Sequence, residues 1–490
     1  MVDNTSDSSG SIGSQQFTRP DTARVFGRRH FLGGAALAGL VTAAGAGGGI
    51  ARAASPTESL RARVDELAVN ACDFGARGDG RRDNTAAFQK ALDHVHTQGG
   101  GTVAVPAGQY LFKGHLELPS ETALVGSYAG PPAGFFGILG KGTVLLPTEG
   151  RGKPDGQAFI SARGVSSTIR GLAIYYPEQL AGAAEPTPYP WTIQNILARL
   201  PGEPPLGGDG ITGLSVLDVN ISNAYQGLSL AKRHYVARVY GRPILTGIYV
   251  DECEDVGRIE NVHFVWAFWP EGNANPRMAA WIQNHGTAFR FGRSDGQYVL
   301  NTFCFQYHTG YHFVQTPSGS CYGNFLGLGA DTCHYPVKVD AAESVVGLQI
   351  TNGEFAAYLG TNPQGFVIGP QNTGAVNLAN CAFWGGGDLQ RFGTVQGTGA
   401  VSLIGCNFYA NWDTHNKGEP AILCDGLAIT ISNCLFRSLP NSKKIITRIT
   451  RRCAGVVIMG NTSQGTPFNV DRPGKLPKSR FQIHSNIAIG

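Results

Sequence analysis

The chain has 490 residues, of which 42% are hydrophobic and only 15% charged, with 68 glycines and a net charge of +4. Few charges and abundant glycine exclude a coiled coil and a charge-driven disordered chain, and describe a turn-rich β protein with room for a large core. Residues 1–53 hold five Arg and three Asp, which leaves about +2 on the rest, too balanced for a nucleic-acid binder.

At the N-terminus, Gly27-Arg28-Arg29-His30-Phe31-Leu32 sets paired arginines before a weakly apolar, Ala/Gly-rich run that reaches to about residue 50. Ala51-Arg52-Ala53 then supplies small residues of the kind found at cleavage sites. This segment resembles a bacterial twin-arginine export signal. The resemblance implies a secreted, periplasmic or cell-surface protein, moved already folded and held by no membrane once the signal is removed. The expected organisation is a signal at 1–53, a linker at 54–68, a β domain at 69–463 and a polar tail at 464–490 packed on the end of that domain.

The mature part opens with Cys72-Asp73-Phe74-Gly75-Ala76-Arg77-Gly78-Asp79-Gly80, then Asp83-Asn84-Thr85, then Gly99-Gly100-Gly101-Thr102-Val103-Ala104-Val105-Pro106. Between them Ala87, Phe88, Ala91, Leu92 and Val95 share one helical face, and Asp83 or Asn84 can cap that helix. These motifs resemble the opening of the pectate-lyase-like right-handed β-helix superfamily, of the rhamnogalacturonase/epimerase type. The resemblance implies an all-β, single-stranded right-handed parallel β-helix whose N-terminal helix plugs an otherwise aggregation-prone open end. It also implies action on polysaccharides, although tailspike and adhesin relatives exist. Asp73, Asp79 and Asp83 read as turn and cap residues.

Farther on, a six-residue pattern recurs: aliphatic, any, Asn or Gly, any, any, large apolar. It ends at Phe264, Phe355, Phe383, Phe408 and Phe436, and the last three intervals are 28, 25 and 28 residues. That period is too short for a propeller blade and fits one solenoid coil. The five Phe should stack in one interior column, with Asn261, Asn352, Asn380 and Asn433 at a tight left-handed bend. Cys381, Cys406 and Cys434 share the next position and read as small buried side chains rather than disulfides. A second strand column runs through 247–250, 287–291, 310–313, 336–339, 365–368 and 420–423.

Weak copies ending at Phe305 and Ala330 bridge the long gap between Phe264 and Phe355. With each of these as the inward position, the flanking residues point outward. His263, Glu354, Asp331, Trp384 and Tyr409 then share one face, and a sugar ring could stack on Trp384 and Tyr409 there. Asp331 and Glu354 fall one coil apart, with Cα atoms about 8 Å from each other, a spacing that suits the acid and base, or acid and nucleophile, of a glycosidase. Asp251, Glu260 and Asp295 are competing acids, and Arg293 lies beside Asp295. The Trp-rich insertion from Trp266 and Trp269 to Trp281 reads as a wall for sugar binding beside Asp331 and Glu354. No Cys-x-x-Cys spacing and no dense carboxylate cluster points to a metal, and no cofactor is expected. The sequence thus predicts a β-helix acting on a polysaccharide or oligosaccharide, first as a glycoside hydrolase. A polysaccharide lyase acting beside a uronate, or a non-catalytic glycan-binding surface protein, are the alternatives.

Overall fold

The computed structural model describes residues 68–131, 142–195, 213–438, 444–474 and 477–489. The export segment and the linker as far as residue 67 lie outside the described residues. The described chain winds as a right-handed parallel β-helix. Its strands form a 27-stranded and a 13-stranded sheet, and the registered pairings between strands are parallel.

One coil shows the plan. Leu348–Thr351 is the first side, Asn352 the bend, Glu354–Ala357 the second side and Gln364–Ile368 the third. The next coil repeats it in register: Leu348 faces Val376, Phe355 faces Phe383 and Val367 faces Thr394. The bend needs positive φ, which costs an ordinary L-residue about 1–2 kcal/mol and which Asn and Gly tolerate best. Asn261, Asn352, Asn380 and Asn433 all sit there at φ of 54–55°. Gly405 shares the column for an added reason: a Cβ on it would lie 2.6 Å from Oδ1 of Asn380, which leans across from the preceding coil.

The interior column is Phe264, Cys304, Ala330, Phe355, Phe383, Phe408 and Phe436. The last four rings stack at 5.1, 5.2 and 4.7 Å between centroids. Between Phe264 and Phe355 the register differs from the expected one, for Cys304 points inward and Phe305 does not. The room left by the small side chains of Cys304 and Ala330 goes to the third side. Phe289 stacks on Phe264 at 5.4 Å and on Tyr311 at 4.8 Å, and Tyr311 meets Phe355 edge-on. Each thiol of Cys381, Cys406 and Cys434 donates to a backbone carbonyl, that of Ala379, Leu378 and Leu403 respectively. All ten cysteines are unpaired.

At the N-terminal end, α1 (Thr85–Thr97) buries Phe88, Ala91, Leu92 and Val95. Asn84 is its N-cap residue but makes no side-chain cap bond; Asp83 before it accepts the Thr85 N–H on Oδ1 at 3.0 Å, while buried Asn84 accepts from the Arg77 N–H at 2.7 Å. Phe88 meets Tyr110 and Phe112 edge-on and closes the core. At the other end the expected tail is not a tail. Phe481–His484 and Ile487–Ile489 pair in parallel with Gly455–Met459 and Thr462–Gln464, adding a further coil. The Trp-rich insertion leaves the solenoid between the second and third sides and folds into α2 (Pro270–Ala274) and α3 (Pro276–His285). Asn275 caps α3, accepting from the N–H groups of Arg277 and Met278.

Candidate active site

On the third side of the coil, the fourth residue of each strand points outward while its neighbours are buried. In register these are Ser229, Tyr249, Arg290, His312 and Lys338. Parallel strand spacing sets neighbours about 4.8 Å apart, so two cations, an imidazole and a phenol stand in one short row. The Tyr249 ring lies between the Trp191 indole, stacked at 6.0 Å and 16°, and the Arg290 guanidinium, 5.3 Å above its centroid. Its hydroxyl donates to Asp251 Oδ2 at 2.8 Å. Burial first, and then the Asp251 carboxylate, push the phenol well above its usual range, so it stays protonated.

His312 Nε2 lies 2.7 Å from Asp340 Oδ2, and Lys338 Nζ lies 3.4 Å from the same oxygen. Burial opposes the charge on Asp340, but His312 and then Lys338 outweigh it and hold the carboxyl below its ordinary value. One edge of the row is a wall of imidazoles. His308 and His334 stack at 4.9 Å, and Trp281 of α3 packs on His285 at 4.7 Å. Burial, then the neighbouring His334, Lys338, His285 and His312, bring His308 down to about 4, so it is neutral at pH 7. The groove therefore combines groups that attract a carboxylate, groups that accept or donate a proton, and an aromatic platform.

The residues singled out from the sequence fall on three different sides. Asp331 and Glu354 do lie on the second side one coil apart, since Gly329 faces Glu354 and Ala330 faces Phe355. Glu354 is exposed; Asp331 is half-buried and accepts from the Thr332 hydroxyl at 3.0 Å. Trp384 and Tyr409 extend the same side. Arg293 and Asp295 are not beside them. They pair with each other at 2.9 Å at the corner between the third and first sides, in a polar cleft of about 270 Å³ with Ser318 and Glu343. Glu260 belongs to the first side, where it accepts from the Tyr235 hydroxyl. Asp251 alone among the expected acids borders the groove of the third side, where it also accepts the Arg293 N–H at 2.8 Å.

Two expected sugar contacts are packing residues. Trp269 is 1% exposed and belongs to the main hydrophobic core, with Gly272 lying against its ring. His263 is wedged edge-on between Phe268 and Phe303, and burial lowers its proton affinity. Trp266 is partly buried in the first turn of the insertion. The sequence reading passed over Trp191, Tyr249, Arg290, His312, Lys338 and Asp340. For Tyr249, Arg290, His312 and Lys338 the sequence carries a signal, a polar residue at one fixed position of successive, otherwise apolar strands; Trp191 and Asp340 lie outside that position.

Residues 68–195 match the family model described as rhamnogalacturonase A/epimerase, pectate lyase-like. The chain is a right-handed parallel β-helix that resembles this family over that stretch. Mannuronan C5-epimerase AlgE3 of Azotobacter vinelandii is 56% identical to this β-helix over 55 residues, 11% of this chain and 3% of that protein. Alginate lyase 7 of the same organism is 50% identical over 59 residues, 12% and 7% of the two chains. The β-helix thus spans only a small part of the length of these relatives. Among solved structures, the tailspike of E. coli bacteriophage HK620, in complex with a pentasaccharide, has a TM-score of 0.55 at 12% identity, covering 88% of this chain and 79% of that one. That likeness shows the fold.

Proposed function

We propose that the β-helix acts on a uronate-containing polysaccharide in the groove of its third side, by removing the proton on the carbon next to the carboxylate. The observation that carries this reading is the Arg290–His312–Lys338 row with Asp340 behind His312. Arg290 or Lys338 neutralises the substrate carboxylate, which makes the adjacent C5–H more acidic. His312, oriented by Asp340, accepts that proton. Tyr249, kept protonated, supplies one. Delivered to the departing O4 as the C4–O4 bond breaks and a C4=C5 double bond forms, its proton completes a β-elimination; delivered to the opposite face of C5, it completes an epimerisation. The names of the matched relatives, epimerases and an alginate lyase, support this class.

A glycoside hydrolase using Asp331 and Glu354 is a second reading, favoured by their placement one coil apart on one side. A panel of alginate, polygalacturonate and neutral glycans separates the two. Ultraviolet absorbance of unsaturated ends, or deuterium entering C5 from heavy water, supports proton abstraction. New reducing ends without either support hydrolysis. The paired Arg28 and Arg29 support the proposal that this reaction takes place outside the cytoplasm.

A further inference from the structure

The second side of the coil carries aromatic groups that the chemistry above does not use. The residues following Phe383, Phe408 and Phe436 are Trp384, Tyr409 and Arg437, in register on adjacent coils. Tyr358, on the coil before, sets its ring edge-on to Trp384 at 5.8 Å. Tyr358 is 39% exposed and Tyr409 53%, and the Arg437 guanidinium lies 4.6 Å over the Tyr409 ring. Gly385 and Gly386 keep the backbone bare beside these rings, since a Cβ on Gly386 would lie 2.4 Å from the Tyr358 ring. Among the described residues, Asn407 Oδ1 and Arg437 Nε lie sheltered on this side without a hydrogen-bond partner.

We propose that Tyr358, Trp384, Tyr409 and Arg437 form a second, non-catalytic binding strip for an acidic polysaccharide. A protein partner would be expected to meet a continuous apolar patch. Here the rings are interrupted by an amide, by glycine backbone and by a guanidinium. That mixture fits a pyranose chain, which presents apolar ring faces and hydroxyls together, and Arg437 adds a partner for a carboxylate. The strip begins one coil beyond Lys338, on the adjacent side of the solenoid, so a polymer held on one is kept at high effective concentration near the other. The acidic nature of the ligand rests on the uronate reading of the groove.

The test is native electrophoresis through gels containing sodium alginate or a neutral β-glucan, with His312→Gln as the background so that the polymer stays intact. Retardation by alginate is expected, and it should fall several-fold in Trp384→Ala/Tyr409→Ala and in Arg437→Met. Thermal melts show that each variant is folded, and Arg437→Met keeps the test valid if the double variant is not. Retardation that survives in these variants overturns the strip and leaves the uronate reading standing. Retardation by the neutral glucan alone overturns the ligand class and the uronate reading together. No retardation by either polymer overturns the strip outright.

Discussion

Single side chains decide both the groove and its chemistry. Replacing His312 by Gln or Asp340 by Asn should lower the rate of C5-proton removal by about 10²–10⁴-fold, the usual worth of general acid–base help. Since both groups are outward, these variants should stay folded, with only a small fall in melting midpoint from the lost His312–Asp340 contact. His234 is a different case. It is fully buried, its Nδ1 faces the Lys232 carbonyl at 3.1 Å, and burial brings it down to about 4 from 6.5. Between those values the unfolded chain binds a proton there and the folded chain does not, so stability contributed by neutral His234 is present above pH 6.5 and lost as pH falls toward 4. His234→Gln should flatten the dependence of the melting midpoint over that window. At this scale the sequence was legible where a residue sits in a repeated place, as with Asn380 or Phe383. It was not legible where parity alone had to choose a face. A slip of one residue at Phe305 moves every neighbour to the other face, and nothing in the sequence shows that Phe289 and Tyr311 fill the space over Cys304.

Elements set how far such slips matter. The Phe column binds coil to coil, so Phe383→Ala should cost roughly 3–5 kcal/mol in urea unfolding. The helical insertion interrupts the stack of corners, and a buried cation spans the interruption. Fully buried Arg242 donates to the carbonyls of Phe305 and Gln306 and lies 4.6 Å over the Tyr307 ring, while the Tyr307 hydroxyl donates to the Pro243 carbonyl at 2.7 Å. Arg242→Ala removes two charge-assisted hydrogen bonds, each worth about 1.5–3 kcal/mol, and should lower stability by about 3 kcal/mol or more in the same measurement. The insertion itself was visible in the sequence as a break in the repeat rich in Trp. That Trp269 faces inward was not, because the insertion does not follow the solenoid period. Strands at Arg391–Val395 and Ile445–Ile449 of the third side do not stand out in the sequence because Arg391 and Thr447, both buried there, disguise apolar strands as loops.

For the whole molecule, like-on-like stacking makes the fold legible: many coils repeat a Phe and an Asn or Gly at the same places, so the repeat survives in one sequence. The side on which chemistry lies does not follow from that repeat, because connections of unequal length hide which strands share a side. Asp331, Glu354, Asp251, Asp295 and Glu260 look equivalent along the chain and end on different sides or corners. The proposed export belongs to this scale too. Arg28→Lys/Arg29→Lys should leave the protein in the cytoplasm of its host, as judged by fractionation and immunoblotting, and normal export of that variant would remove the twin-arginine signal from the account. The central claim is that a proton next to a uronate carboxylate is removed in the groove of the third side. Its most direct test is incubation of alginate and polygalacturonate with the protein in heavy water, reading deuterium at C5 by NMR and unsaturated ends by ultraviolet absorbance. The account predicts one or both signals with the parent chain and their near-complete loss in His312→Gln. New reducing ends with neither signal, undiminished in His312→Gln and abolished by Glu354→Gln, would contradict it.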